Sequence, residues 1–86
     1  MIDQIQIKMK KNPIKIFNTL DKTIYIYYSY DSSFLQIGIM KPKETTIFNI
    51  PQGTAIIVKE GVTKGGYNVP LDTILEREVK ENYLSI

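Results

Sequence analysis

Eighty-six residues make one domain, and a chain this short buries a smaller share of its surface than a longer one. It contains no Cys and no His, which excludes disulfides, the usual zinc sites, the commonest general base and the strongest nucleophile. The net charge of +2, from 11 basic and 9 acidic residues, is too small to mark a strongly basic nucleic-acid binder.

That charge is unevenly spread. Residues 1–22 hold five Lys against two Asp, whereas residues 71–86 hold Arg77 and Lys80 against Asp72, Glu76, Glu78 and Glu81. Opposite charges of this kind can meet within one fold or between neighbouring copies. The first residues mix Asp, Gln and Lys, so a secretory signal is not expected. No segment approaches the ~18 apolar residues of a membrane helix, so no membrane partner is expected.

In chain order, Ile5, Ile7 and Met9 alternate with Gln4, Gln6, Lys8 and Lys10, which predicts a strand over residues 2–9. Lys10, Lys11, Asn12 and Pro13 are expected to interrupt it, because proline lacks a ladder donor and restricts its predecessor. A second strand is expected over residues 14–18, followed by a turn at residues 19–22. Residues 23–30 read Thr-Ile-Tyr-Ile-Tyr-Tyr-Ser-Tyr, a run of β-branched and aromatic side chains suited to a pleated, half-buried surface. Alternation puts Ile24, Ile26, Tyr28 and Tyr30 on one side, read as the inner one, and Tyr25 and Tyr27 on the other.

After a turn at Asp31, Ser32 and Ser33, residues 34–40 form the next predicted strand, with Leu35, Ile37 and Ile39 expected on its core face. Gly38 marks a bulge or a close backbone approach. Residues 41–44 form a turn with Pro42 suited to its second position. Strands follow over residues 45–50 and 54–59, the latter apolar enough to be covered on both faces. Gly61, Gly65 and Gly66 leave residues 60–70 irregular, with a hairpin tip around Lys64 as one reading and an extended contact loop as the other. Residues 71–86 fit a helix somewhat better than a strand, since Ile74, Leu75, Val79, Tyr83 and Ile86 share a face at helical spacing. The organisation is therefore a β-sandwich over residues 1–70, with residues 71–86 a helix or an extended tail packed on the domain or on a neighbour. Strands at this regular spacing define an all-β class of about six to seven strands in two facing sheets.

No catalytic, cofactor-binding or metal-binding residues emerge. Asp21, Asp31 and Glu44 sit in turns, and Ser29, Ser32, Ser33 and Ser85 lack the context of a nucleophile elbow. Gly61 and Gly66 have phosphate-loop spacing, but Tyr67 and Asn68 stand where Lys and Ser or Thr are required. Tyr25 and Tyr27 with Lys15, Lys41 and Lys43 would suit a stacking platform for single-stranded nucleic acid or, through the tyrosine faces, for sugars. The tyrosine run itself carries no Lys, which weighs against nucleic acid. Tyrosine has an apolar body and a polar tip suited to interfaces. The candidate contact residues are accordingly Tyr25, Tyr27, Tyr30 and Tyr67, with the basic Lys8, Lys10, Lys11 and Lys64.

The run Ile16-Phe17-Asn18-Thr19-Leu20-Asp21-Lys22-Thr23-Ile24-Tyr25-Ile26-Tyr27 resembles the opening hairpin of small immunoglobulin-like sandwiches. Residues 38–51, with a proline turn before a strand of Thr and Phe, resemble their middle. Among short cysteine-free proteins of this build, the chain is similar to the auxiliary capsid (head decoration) proteins of tailed bacteriophages. That resemblance implies a non-enzymatic virion component without cofactor, assembled in the host cytoplasm, whose partners are the major capsid protein or other virion subunits. A small inhibitor or adaptor of one host protein, and a nucleic-acid or glycan binder, are the alternative classes.

Overall fold

Among the described residues, seven strands grow from the alternating runs and divide between two sheets. The computed structural model describes residues 11–86 other than Asp31 and Gln52; the predicted strand over residues 2–9 lies outside the described residues. The strands are β1 (Lys11–Phe17), β2 (Ile24–Tyr30), β3 (Ser33–Met40), β4 (Thr45–Pro51), β5 (Ala55–Lys64), β6 (Tyr67–Glu78) and β7 (Tyr83–Ser85). One sheet runs β4-β1-β7 and the other β3-β2-β5-β6. All pairings are antiparallel except β1 with β7, which is parallel. The chain crosses between sheets at β1–β2, β3–β4, β4–β5 and β6–β7, a small β-sandwich as the sequence predicts. The order β2-β5-β6 facing β4-β1 matches the C-F-G and E-B strands of the immunoglobulin arrangement. Here β7 pairs on the other side of β1.

The core lies between the sheets. Ile14, Ile16, Ile50 and Leu84 from the smaller sheet meet Ile24, Ile26, Met40, Ile56 and Val58 from the larger, with Val79 closing one end. These are alternate residues, as expected where each sheet turns one face inward. The reading of β2 holds at this level, since Ile24 and Ile26 are buried and Tyr28 packs against the cluster.

Asn18, the residue after β1, is a buried polar residue of the core, with 0% exposure. Its Nδ2 donates to the Lys22 carbonyl at 2.8 Å and the Lys41 carbonyl at 2.9 Å, and its Oδ1 accepts from the Leu20 amide at 3.0 Å. One side chain thus ties the β1–β2 crossing to the β3–β4 crossing. The latter is a tight turn in which the Glu44 amide bonds the Lys41 carbonyl, with Pro42 second and Lys43 third at φ 63°.

Three expectations are corrected. Pro13 does not interrupt a strand; it lies inside β1, opposite Asn49 of β4. The Lys15 amide points toward the β7 side, to the Asn82 carbonyl, so the ring nitrogen of Pro13, two residues earlier, faces that same side. The pairing of β7 with β1 spans only Lys15 to Phe17, so no ladder donor is needed at Pro13.

The helix favoured over residues 71–86 does not form. β6 is extended across residue 70 and pairs with β5 from Lys64–Tyr67 to Ala55–Glu78, so the neighbouring strand satisfies its backbone and overrides helical spacing. Two register shifts absorb the extra residues of β6, one of them at Ile74. Leu75 then reaches the core, Val79 is buried past the strand end, and β7 docks with the Ile86 amide on the Phe17 carbonyl at 2.9 Å.

The core face of β3 is also reversed over its second half, while Leu35 stays on the inner side opposite Tyr28. Ile26 pairs with Gly38 and Tyr27 with Gln36, so Ile37 is an extra residue, the bulge that Gly38 signalled. Met40 and Gly38 face inward, whereas Ile39 is 54% exposed and Leu35 is also exposed. Only Ile37 of the expected trio packs on the core. The close approach is present as well: a Cβ on Gly38 would lie 2.5 Å from a Phe48 ring carbon.

Candidate interaction surface

The outer face of the larger sheet is built from residues that alternate with the core. From β2 it carries Tyr25, Tyr27 and Ser29; from β5, Ile57, Lys59 and Gly61. The bulge in β3 adds Phe34 opposite Ser29, Gln36 opposite Tyr27 and Ile39 opposite Tyr25. Phe34 is 63% exposed. The Lys59 ammonium sits 5.3 Å from the Tyr27 ring centre, within range of a cation–π contact. Ile57 is buried on this face, so part of the outer surface is already packed.

Tyr25, expected as a contact residue, is buried too. Its ring crosses Gly61, and its hydroxyl, 2.8 Å from both the backbone oxygen and Oδ1 of Asn68, donates to that pair. Tyr25 is therefore a packing residue that clamps β6 to β2. Tyr27 is half-buried in the same face. Tyr30 is the last residue of β2.

Lys64 and Tyr67 come together at the far end of the β5–β6 hairpin, paired in register across Gly65 and Gly66, whose φ values are 58° and 85°. Two positive φ angles in a two-residue loop match the type I′ hairpin turn, which glycine adopts without strain. Tyr67 is 75% exposed there. Lys11 opens β1 in the opposite sheet, and Lys8 and Lys10 lie outside the described residues. Among the described residues, the structure thus brings Lys64 together with Tyr67, keeps Tyr25 and Tyr27 on one face of the larger sheet, and places Lys11 in the other sheet. Nor does it assemble the stacking platform: Tyr25 is covered, and Lys15 belongs to the other sheet.

What sequence reading missed is the side of the sandwich formed by β3 and β4. The two edge strands, Ser-Phe-Leu-Gln-Ile-Gly-Ile-Met and Thr-Thr-Ile-Phe-Asn-Ile-Pro, carry no charged residue. Phe34, Leu35, Ile39 and Ile47 are exposed along them. The β6 edge contrasts with this, since it holds Pro70, Asp72, Glu76, Arg77 and Glu78 and two register shifts. Charge, proline and bulges all discourage an edge strand from pairing with another chain; β3 has its bulge at Ile37 and β4 ends on Pro51, so charge is what sets the two sides apart. The missed signal was the absence of charge over residues 33–40, overshadowed by the assumption that its apolar residues point inward.

Between the sheets, where β6 leads to β7, a cavity of about 350 Å³ has Ile14, Ile56, Val79 and Leu84 as its floor and Arg77, Glu78, Lys80 and Glu81 at its rim. This is near the small end of ligand pockets, and its polar groups are surface charges rather than buried groups aimed at a ligand. Among the described residues, no three His, Cys, Asp or Glu side chains are grouped to hold a metal, and no helix is long and apolar enough to cross a membrane.

Among the described residues, fold and surface together define a small two-sheet sandwich with one charged edge at β6 and one side, β3 and β4, without charge. Comparison of the chain with family models, with curated proteins and with solved structures found no match.

Proposed function

We propose that this chain is a non-enzymatic protein-contact module, and that its role is that of an auxiliary capsid protein of a bacteriophage. The observation that supports the reading is the uncharged β3–β4 side with Phe34, Leu35, Ile39 and Ile47 exposed. Exposed apolar residues along edge strands without charge suit contact with another protein chain. The mechanism is adhesive: a small apolar contact, repeated by the symmetry of a shell, accumulates into stable attachment through effective concentration. The capsid assignment itself draws on the resemblance of residues 16–27 and 38–51 to decoration proteins.

The test is quantitative mass spectrometry of virus particles purified from the chain's own host. The reading expects many copies per shell, retained through density-gradient purification and lost when Phe34→Ser and Ile39→Ser are introduced together. Absence from purified particles would overturn the capsid role.

A further inference from the structure

We propose that the first partner of the β3–β4 side is a second copy of this chain, joined by antiparallel pairing of β3 with β3 about a two-fold axis. The inference rests on the adhesive reading above, since it names a partner for the same surface. Three features favour a second copy.

The first is register. The bulge at Ile37 puts Phe34 and Ile39 on the same outer face, where unbroken alternation would separate them. In an antiparallel pair centred between Gln36 and Ile37, Phe34 of each copy lies opposite Ile39 of the other. Leu35 lies opposite Gly38, against the Phe48 ring that covers it. Phe34 and Ile39 then meet twice over, on either side of the bulge residues at the axis, which is the self-matching an isologous interface requires.

The second is charge. β3 and β4 are both uncharged, so two copies can appose both layers with no like charges facing. In the sequence Asp31 precedes β3, and Lys41 and Lys43 follow it. Antiparallel pairing keeps the Lys41 and Lys43 ends of the two strands apart, whereas parallel pairing would crowd the lysines together.

The third is extent. The two edge strands contribute 8 and 7 residues per copy, fewer than the roughly 20–30 per side of a standard stable interface. The pairing is therefore reversible in solution, and a shell that holds copies close together would complete it. The product is an eight-stranded sheet with one continuous outer face.

Sedimentation velocity on the full chain from roughly 10 µM to 1 mM tests this, because a contact below standard size dissociates in that range. A concentration-dependent rise from monomer to dimer is expected, and Ile39→Lys, at an exposed position, should abolish it while leaving the circular dichroism spectrum unchanged. The chain has no Cys, so paired Phe34→Cys and Ile39→Cys substitutions give a clean second readout. Five residues apart on one strand, these positions cannot bridge within a copy, whose Cα atoms would need to approach to under about 7 Å. Oxidation should therefore yield a covalent dimer. A strict monomer at the highest concentration, with no covalent dimer, would overturn the proposal. If that monomer is nonetheless abundant in purified particles, only the self-pairing falls; a dimer absent from particles removes only the capsid role.

Discussion

Phe34 and Ile39 lie on the same face of β3 although they are five positions apart, because the bulge at Ile37 shifts the alternation by one. The same irregularity brings Gly38 under the Phe48 ring of the opposite sheet, so the close contact between the sheets and the exposed apolar row have one origin.

Adding a methyl group at Gly38 should therefore force the Phe48 ring aside. Gly38→Ala is expected to cost about 1–3 kcal/mol, the usual range for overpacking. Phe48→Leu should recover part of that loss, and a double-mutant cycle by urea denaturation measures the coupling. Additive effects would mean that the ring and the glycine do not compete for the same space.

Asn18 should be the most sensitive polar position. Asn18→Ala leaves the Lys22 carbonyl and the Leu20 amide without the Asn18 side chain, and the Lys41 carbonyl with the Glu44 amide alone. Each orphaned group costs about 1–3 kcal/mol where water cannot reach it, so a loss of at least ~2 kcal/mol is expected. For a domain of this size that corresponds to a fall in Tm on the order of 10 °C, read by differential scanning calorimetry.

The Tyr25 clamp separates into a small polar part and a large steric part. Tyr25→Phe should cost about 1 kcal/mol, the net worth of one hydrogen bond. Gly61→Ala should cost more. Its new Cβ would lie 2.4 Å from Asn68 Oδ1 and 2.8 Å from the Thr23 carbonyl, and that carbonyl is held by the Gly61 amide at 2.7 Å and cannot withdraw. Chemical-denaturation midpoints of the two variants check the order.

At the hairpin tip, Gly65→Asn should be nearly neutral, because asparagine tolerates positive φ in a type I′ turn. Gly65→Val should lose roughly 1–2 kcal/mol, since a β-branched residue is strained there. No side-chain contact contributes, as nothing lies within 4 Å of the Cβ position. Equal stability of the two variants would refute the backbone argument.

Much of the strand pattern was legible because it is local. Alternation over residues 24–28, the proline turn at residues 41–44 and the glycine pair at residues 65–66 each state their conformation within a few residues. Tyr25 was harder. Its outward direction followed from alternation, but its burial depends on Gly61 and Asn68, distant in sequence and brought beneath and beside it by the pairing of β2, β5 and β6. Pro13 was misread for the same kind of reason, since its tolerance depends on how far β7 extends along β1.

The amino-acid order by itself determined that this chain is all-β at its centre, where most turns between those strands fall, and that it contains neither His nor Cys. Each follows from local backbone preference or from composition, which need no neighbour. Only the tertiary structure decided that residues 67–78 are a strand, that β3 turns Ile39 outward, and that one side of the sandwich is free of charge. Those outcomes depend on hydrogen bonds and packing between segments far apart in sequence: a strand partner overrides helical spacing, and a single extra residue opposite β2 exchanges inside for outside.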